Sequence, residues 1–206
     1  MKPQFLTFTG IDADTDFTRV HDLSQVYPIE WGVLFSPERQ GEEPRYPAQD
    51  VIDRFREVPV GKSAHLCGGH SKAIMAGNPL PFPLIGFDRV QVNSRKPDPE
   101  AIVRFAIAHS VTPIMQVREL EFPEDEGVAM LFDRSGGFGR PPEAWPKHPG
   151  SSLVGYAGGI SPDNILDVLT AVDSSGPYWL DMESGIRTDD RLDLDKCEAV
   201  AKAVYG

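Results

Sequence analysis

The sequence has 206 residues, 40% of them hydrophobic and 25% charged, the composition of an ordinary globular chain rather than a disordered or fibrous one. Its formal net charge of −11 excludes the concentrated basic surface that nucleic acid or an anionic membrane face demands, yet leaves room for a small anion held by backbone N–H groups and one or two arginines. The two cysteines, Cys67 and Cys197, have no CxxC spacing, so neither a disulfide framework nor a structural zinc site is indicated and both are expected as free thiols.

The opening residues Met1-Lys2-Pro3-Gln4-Phe5-Leu6-Thr7 lack an apolar run of signal-peptide length, and no segment approaches membrane-spanning length, so a cytoplasmic protein is expected. Short apolar runs rich in β-branched and aromatic residues then alternate with stretches of helical period. A strand at 5–9 precedes a helix at 15–26, a strand at 30–35 a helix at 48–57, a strand at 62–66 a helix at 71–76, and a strand at 89–92 a helix at 99–109. Strands at 113–117 and 128–132 follow with irregular connections, since Gly136-Gly137-Phe138-Gly139-Arg140-Pro141-Pro142 cannot form a regular helix. A strand at 153–157 with a helix at 162–171, and a strand at 178–181 with a helix at 194–204, complete the chain. Asp98-Pro99 and Ser161-Pro162 each place a capping side chain before a proline at the predicted first helical position.

Eight such β/α alternations without a break in composition predict a single (β/α)8 TIM barrel spanning residues 1–206, of the α/β class. An open doubly wound sheet would carry its glycine-rich phosphate loop after the first strand, whereas here the glycines cluster late. Gly158-Gly159 and Ser184-Gly185 stand after the seventh and eighth predicted strands, where barrels of this kind commonly hold a phosphate. Glycine admits the close approach of backbone N–H groups, and Ser184 adds a hydroxyl donor. Taken singly each dipeptide is an ordinary turn; their joint placement predicts a phosphate site, to which Gly137 also contributes.

At these residues the sequence resembles the phosphoribosylanthranilate isomerase family, small barrels that perform an Amadori rearrangement in tryptophan biosynthesis. Ala157-Gly158-Gly159-Ile160-Ser161-Pro162-Asp163-Asn164-Ile165 resembles the family's Ala-Gly-Gly-Leu-x-Pro-Glu-Asn-Val, and Asp181-Met182-Glu183-Ser184-Gly185-Ile186 its Asp-Val-Ser-Ser-Gly-Val. Leu131-Phe132-Asp133 followed by Gly136-Gly137-Phe138-Gly139-Arg140 resembles Leu-Leu-Asp followed by Gly-Gly-Thr-Gly-Lys, and Pro44-Arg45-Tyr46 matches Pro-Arg-Tyr. The resemblance implies Asp133 as the general acid that protonates the furanose ring oxygen, Arg45 as the arginine that holds a substrate carboxylate, and Asp181 as a substrate-positioning aspartate. It also implies a small phosphorylated ligand and no cofactor.

The departures fall on one side of the expected pocket. Thr9 stands where the family's Lys-Ile-Cys-Gly has its catalytic cysteine base, and a threonine hydroxyl does not ionise usefully near neutral pH. Thr7 replaces the lysine, Asn93 replaces a histidine at the end of the fourth strand, and Glu183 replaces a small serine. A replacement base is therefore sought in Glu183, in Asp181, or in Ala64-His65-Leu66-Cys67-Gly68-Gly69-His70, where alternation puts His65 and Cys67 on one face. That stretch is read as packing or substrate contact, with an activated Cys–His pair or part of a metal site as alternatives. Without HxH or HExxH spacing no metal is expected. Cys197 reads as a buried small hydrophobe, and Trp145 and Phe138 as covers over the mouth.

The expected protein is thus an isomerase-type enzyme on a phosphorylated sugar or ribosyl compound with an altered base. A binding protein that keeps the phosphate site without catalysis, and a metal-assisted lyase or hydrolase using His65, His70, Asp133 and Glu183, are the alternatives. A monomer or homodimer is expected.

Overall fold

The computed structural model describes residues 1–124, 127–135 and 139–206. Eight parallel strands close into a barrel in chain order: β1 (Leu6–Thr9), β2 (Ile29–Phe35), β3 (Gly61–Leu66), β4 (Arg89–Val92), β5 (Thr112–Val117), β6 (Ala129–Asp133), β7 (Val154–Ala157) and β8 (Tyr178–Met182). Closure is made by β1 against β8, in the register Leu6↔Leu180, Thr7↔Asp181 and Phe8↔Met182. The strands are buried on both faces, with mostly apolar residues outward and polar residues such as Thr9, His65, Gln91, Gln116 and Asp181 interrupting the inward face. Outward-facing residues such as Phe8 and Trp31 pack under the helices and Phe132 and Tyr156 under aromatic rings, while Ile114, Leu131, Ala157 and Trp179 form a separate cluster inside the barrel.

The helices are α1 (Phe17–Val26), α2 (Gln49–Arg56), α3 (Gly69–Met75), α4 (Pro99–His109), α5 (Ile165–Ala171) and α6 (Leu194–Tyr205). The Asp98 side chain accepts from Ala101 N–H with Pro99 in the first turn of α4, as the sequence predicts. Four helix starts differ from expectation: α2 begins one residue later, at Gln49, α3 two residues earlier, at Gly69, and α1 and α5 later for a visible reason. Helix α1 begins at Phe17 rather than 15 because Asp16 is its cap, accepting from the N–H groups of Thr18 and Arg19. Helix α5 begins at Ile165 rather than 162 because Asn164 ties up the preceding turn, accepting from Ser161 N–H and donating to Gly159 O. Ser161-Pro162 therefore makes a turn below the phosphate segment instead of a helix cap.

Among the described residues no helix lies between β5 and β6 or between β6 and β7, as the irregular composition predicts. Aromatic rings cover that outer wall instead. Phe122 and Trp145 meet Tyr156 edge-on at 5.9 and 5.8 Å, and Trp145 also meets Phe132 at 6.0 Å. Trp145 thus closes the outside of the barrel and does not cover its mouth, correcting the sequence reading; Phe138 and Gly137 lie outside the described residues. After β8 comes a 3-10 turn at Ser184–Ile186 and a short antiparallel pair, β9 (Arg187–Thr188) with β10 (Arg191–Leu192), which the sequence reading missed. Its connection, Asp189-Asp190, has φ of 49° and 59°, the positive values that two-residue hairpin turns demand. Among the described residues no helix is long and apolar enough to cross a membrane.

Candidate active site at the barrel mouth

A cavity of about 610 Å³ opens at the carboxyl ends of the strands, the face on which barrels of this architecture carry their sites. Its walls include the predicted residues Thr9, Arg45, His65, Asn93, Asp133 and Asp181, and also Gly158, Gly159, Glu183 and Ser184. Gly185 lies next to this wall, in the 3-10 turn.

Asp181 is the buried carboxyl at the centre. Its Oδ1 accepts a 2.8 Å hydrogen bond from Thr9 Oγ1 across the β8–β1 seam. Gly32 on β2 leaves space for that threonine, since a Cβ there would come within 2.4 Å of Thr9 Oγ1. Desolvation, which penalises the charged form, pushes the Asp181 carboxyl up to about 8; the Thr9 bond pulls it down, and the charges of Asp133, Glu30 and Glu183 push it further up. A carboxyl so placed exchanges its proton near neutral pH. Asp133 is held at the end of β6 by donors on both oxygens: Gln116 Nε2 donates to Oδ2 at 2.8 Å, and Ser135 N–H and Oγ donate to Oδ1 at 2.9 and 2.6 Å.

The phosphate segment is a meeting of backbones. A Cβ on Gly159, whose φ is +62°, would approach Pro141 N to 2.6 Å; one on Gly185 would lie 2.0 Å from Ile160 O, and one on Gly139 would lie 1.8 Å from Ser184 Oγ. Loops after β6, β7 and β8 therefore converge where only glycine fits. The first N–H groups of the 3-10 turn that starts at Ser184 have no acceptor within it.

Arg45 is already engaged. Its NH1 pairs with Glu183 Oε1 at 2.8 Å and its NH2 with Asp190 Oδ1 at 2.6 Å, the latter delivered by the β9–β10 turn. Both terminal nitrogens that the resemblance assigns to a substrate carboxylate thus meet carboxylates of the chain itself. Desolvation raises the affinity of Glu183 for its proton, and the Arg45 and Arg187 charges oppose that rise. Thr7, in place of the family's lysine, donates to Glu30 Oε1 at 2.9 Å, below the mouth.

On β3 and β4, Asn93 Nδ2 contacts Cys67 Sγ at 3.2 Å and Asn93 Oδ1 accepts from Gln91 Nε2 at 2.9 Å. The activated Cys–His alternative does not form: Cys67 Sγ lies near the His65 carbonyl rather than its ring. Burial pushes the Cys67 thiol up to about 11 and the His65 imidazole down to about 3, so both are neutral. His70 turns away and meets Phe82 edge-on at 5.0 Å, which separates it from His65 in the metal alternative. Among the described residues no group of three His, Cys, Asp or Glu is arranged to hold a metal ion. Cys197 is fully buried in α6.

Sequence reasoning missed Gln116, Arg118 and Arg95, which also line the cavity. Period-two alternation from Ile114 places Gln116 on the inner face, and a polar residue in an otherwise apolar strand is the signal that could have found it.

No family model matches the sequence, and no curated protein matches it. Solved structures do. Phosphoribosylanthranilate isomerase from Pyrococcus furiosus superposes with a TM-score of 0.63 at 14% identity, covering 98% of both chains. The enzyme from Thermotoga maritima superposes with a TM-score of 0.63 at 18% identity, and monomers generated from that dimeric enzyme with 0.60 at 16%, each covering 100% of both chains. The fold is that of phosphoribosylanthranilate isomerase. The likeness to phosphoribosylanthranilate isomerase runs from the first strand to the last helix, so the strand ends compared in the sequence, from Thr9 to Ser184, all lie on the mouth of a shared scaffold.

Proposed function

We propose that the protein is an isomerase-type enzyme acting on a phosphorylated sugar or ribosyl compound, with Asp133 as general acid and Asp181 as the base that replaces the family's cysteine. The observation that carries this reading is the 2.8 Å contact from Thr9 Oγ1 to Asp181 Oδ1, in a cavity that Asp133 shares. The base has moved one strand around the ring, from β1 to β8, and Thr9 has become a positioning residue.

In the proposed reaction the phosphate is held by the segments around Gly158, Gly159, Ser184 and Gly185, which orient the sugar above the two carboxyls. In a ribosylamine substrate Asp133 gives its proton to the ring oxygen as the C1–O bond breaks, with the nitrogen on C1 supplying the electron pair that forms an iminium ion. Asp181 then takes the proton from C2, the C–H electrons form the C1=C2 bond and neutralise the nitrogen, and the enol so formed tautomerises to the ketone. Glu183 contributes by holding Arg45, whose engagement supports an organic group different from that of the family's substrate.

The test is turnover of N-(5′-phosphoribosyl)anthranilate, and of phosphorylated aldoses, by purified protein, together with rescue of a tryptophan auxotroph. Isomerisation of any of these with loss in Asp181→Asn supports the reading. Tight binding of a phosphorylated compound without turnover would favour a non-catalytic binding protein instead.

A further inference from the structure

The arginines around the mouth are not equivalent. Those on the β2 side are matched by the chain's own groups: Arg45 by Glu183 and Asp190, and Arg39 by Glu43 at 3.6 Å and by the Tyr46 ring. On the β4–β5 side they are not. Val92 and Met115 are register partners, and Arg95 and Arg118 each follow that pair by three residues (92 to 95, 115 to 118), so adjacent loops bring both into the cavity wall.

Among the described residues neither Arg95 nor Arg118 forms an ion pair. Arg118 Nε is buried and unpartnered, its NH2 making only a 3.4 Å contact to Gln116 Oε1. On β3, His65 is 2% exposed and lines the same cavity, and among the described residues its Nε2 is buried without a partner. A buried polar atom left unpaired keeps its desolvation cost uncompensated, so two such atoms lining one opening mark a place where a ligand completes the hydrogen bonds. The partner chemistry follows from the donors: a guanidinium fork fits a planar or tetrahedral oxyanion.

We propose that the cavity holds a second oxyanion, a phosphate or carboxylate of the same ligand, between Arg95, Arg118 and the His65 Nε2. This deepens the phosphorylated-ligand reading and rests on it. The two anionic groups sit on different arcs of the ring, one at β7–β8 and one at β4–β5, so the ligand spans the mouth with its reacting carbons over Asp133 and Asp181. The Arg118–Gln116–Asp133 chain couples this second group to the acid.

The experiment titrates the intact protein with inorganic phosphate by calorimetry, and repeats it with acetate present. Wild type is expected to take two phosphates. Arg95→Gln/Arg118→Gln is expected to lose one, or to weaken it roughly ten- to a hundredfold, and Arg118→Lys to weaken it less because the charge remains. Gly159→Ala is expected to lose the other. Competition by acetate at the arginine site alone identifies it as a carboxylate site; its absence identifies a phosphate site. A single phosphate lost in Gly159→Ala and unaffected in the double arginine variant overturns this inference and leaves the cradle standing. A single phosphate lost in the arginine variant alone supports the inference and overturns the cradle. No phosphate uptake overturns both.

Discussion

Thr9 Oγ1 donates to Asp181 Oδ1 at 2.8 Å, so the residue at the position of the family's base now serves a carboxyl on the neighbouring strand. The bond favours the ionised form of Asp181, opposing the desolvation that holds it near 8. Thr9→Val removes the donor with little change of shape. The expected result is a rising limb of the pH–rate profile displaced to higher pH, above 8, and a stability loss of about 1–3 kcal/mol in denaturant unfolding. An unmoved limb would contradict the positioning role.

Asp181 also makes stability depend on pH. Its folded value near 8 lies above the unfolded 3.8, so the native state binds the extra proton between them. That contribution is full below about pH 4 and is lost as pH rises through 8. Asp181→Asn keeps an acceptor for Thr9 and abolishes the titration. The variant should be more stable than wild type at pH 9 by at least about 1.4 kcal/mol relative to pH 5, the worth of one pH unit. Parallel stability curves for the two proteins would rule out a buried, proton-bearing Asp181.

Gly159 has a φ of +62° and no room for a Cβ beside Pro141. Gly159→Ala is expected to cost about 1–3 kcal/mol of stability through backbone strain and to weaken phosphate binding. Folded protein that binds phosphate with unchanged affinity would show that the close approach of the loops is not needed.

Below the mouth, Arg89 NH1 pairs with Glu30 Oε1 at 3.2 Å while its guanidinium lies 4.3 Å from the Trp179 ring and 4.9 Å from Phe5. Arg89→Met leaves a buried carboxyl without its cation and should cost about 3 kcal/mol. Glu30→Gln in that background should restore part of it, measured by a double-mutant cycle. An additive cycle would show that the pair is not coupled.

The fold was legible because short strands with mostly apolar outward faces alternate with stretches of helical period, and because Asp98-Pro99 marks the start of α4; β1 to β8 fall within one residue of their predicted ranges. What escaped was tertiary. Nothing local distinguishes Asp189-Asp190 from an exposed loop, yet the turn they form carries a carboxylate to Arg45, 145 residues away. Trp145 follows a glycine-proline stretch that could equally have capped the mouth; only the missing helices around β6 explain why it turns outward onto Phe132 and Tyr156. At the site, the residues of the cavity wall were read from resemblance and strand ends, whereas the engagement of Arg45, the burial of Asp181 and the polar atoms of Arg118 and His65 left unpaired among the described residues depend on closure of the ring.

The role of Asp181 as base is decided by the pH dependence of isomerisation of a phosphorylated aldose or phosphoribosylamine, measured for wild type and Asp181→Asn under single-turnover conditions. The expected wild-type rate rises with pH to a plateau above about 8, and Asp181→Asn loses at least about a hundredfold, within the range ordinarily contributed by a general base. Equal rates in the two proteins, or a wild-type rate indifferent to pH from 6 to 9, would contradict it.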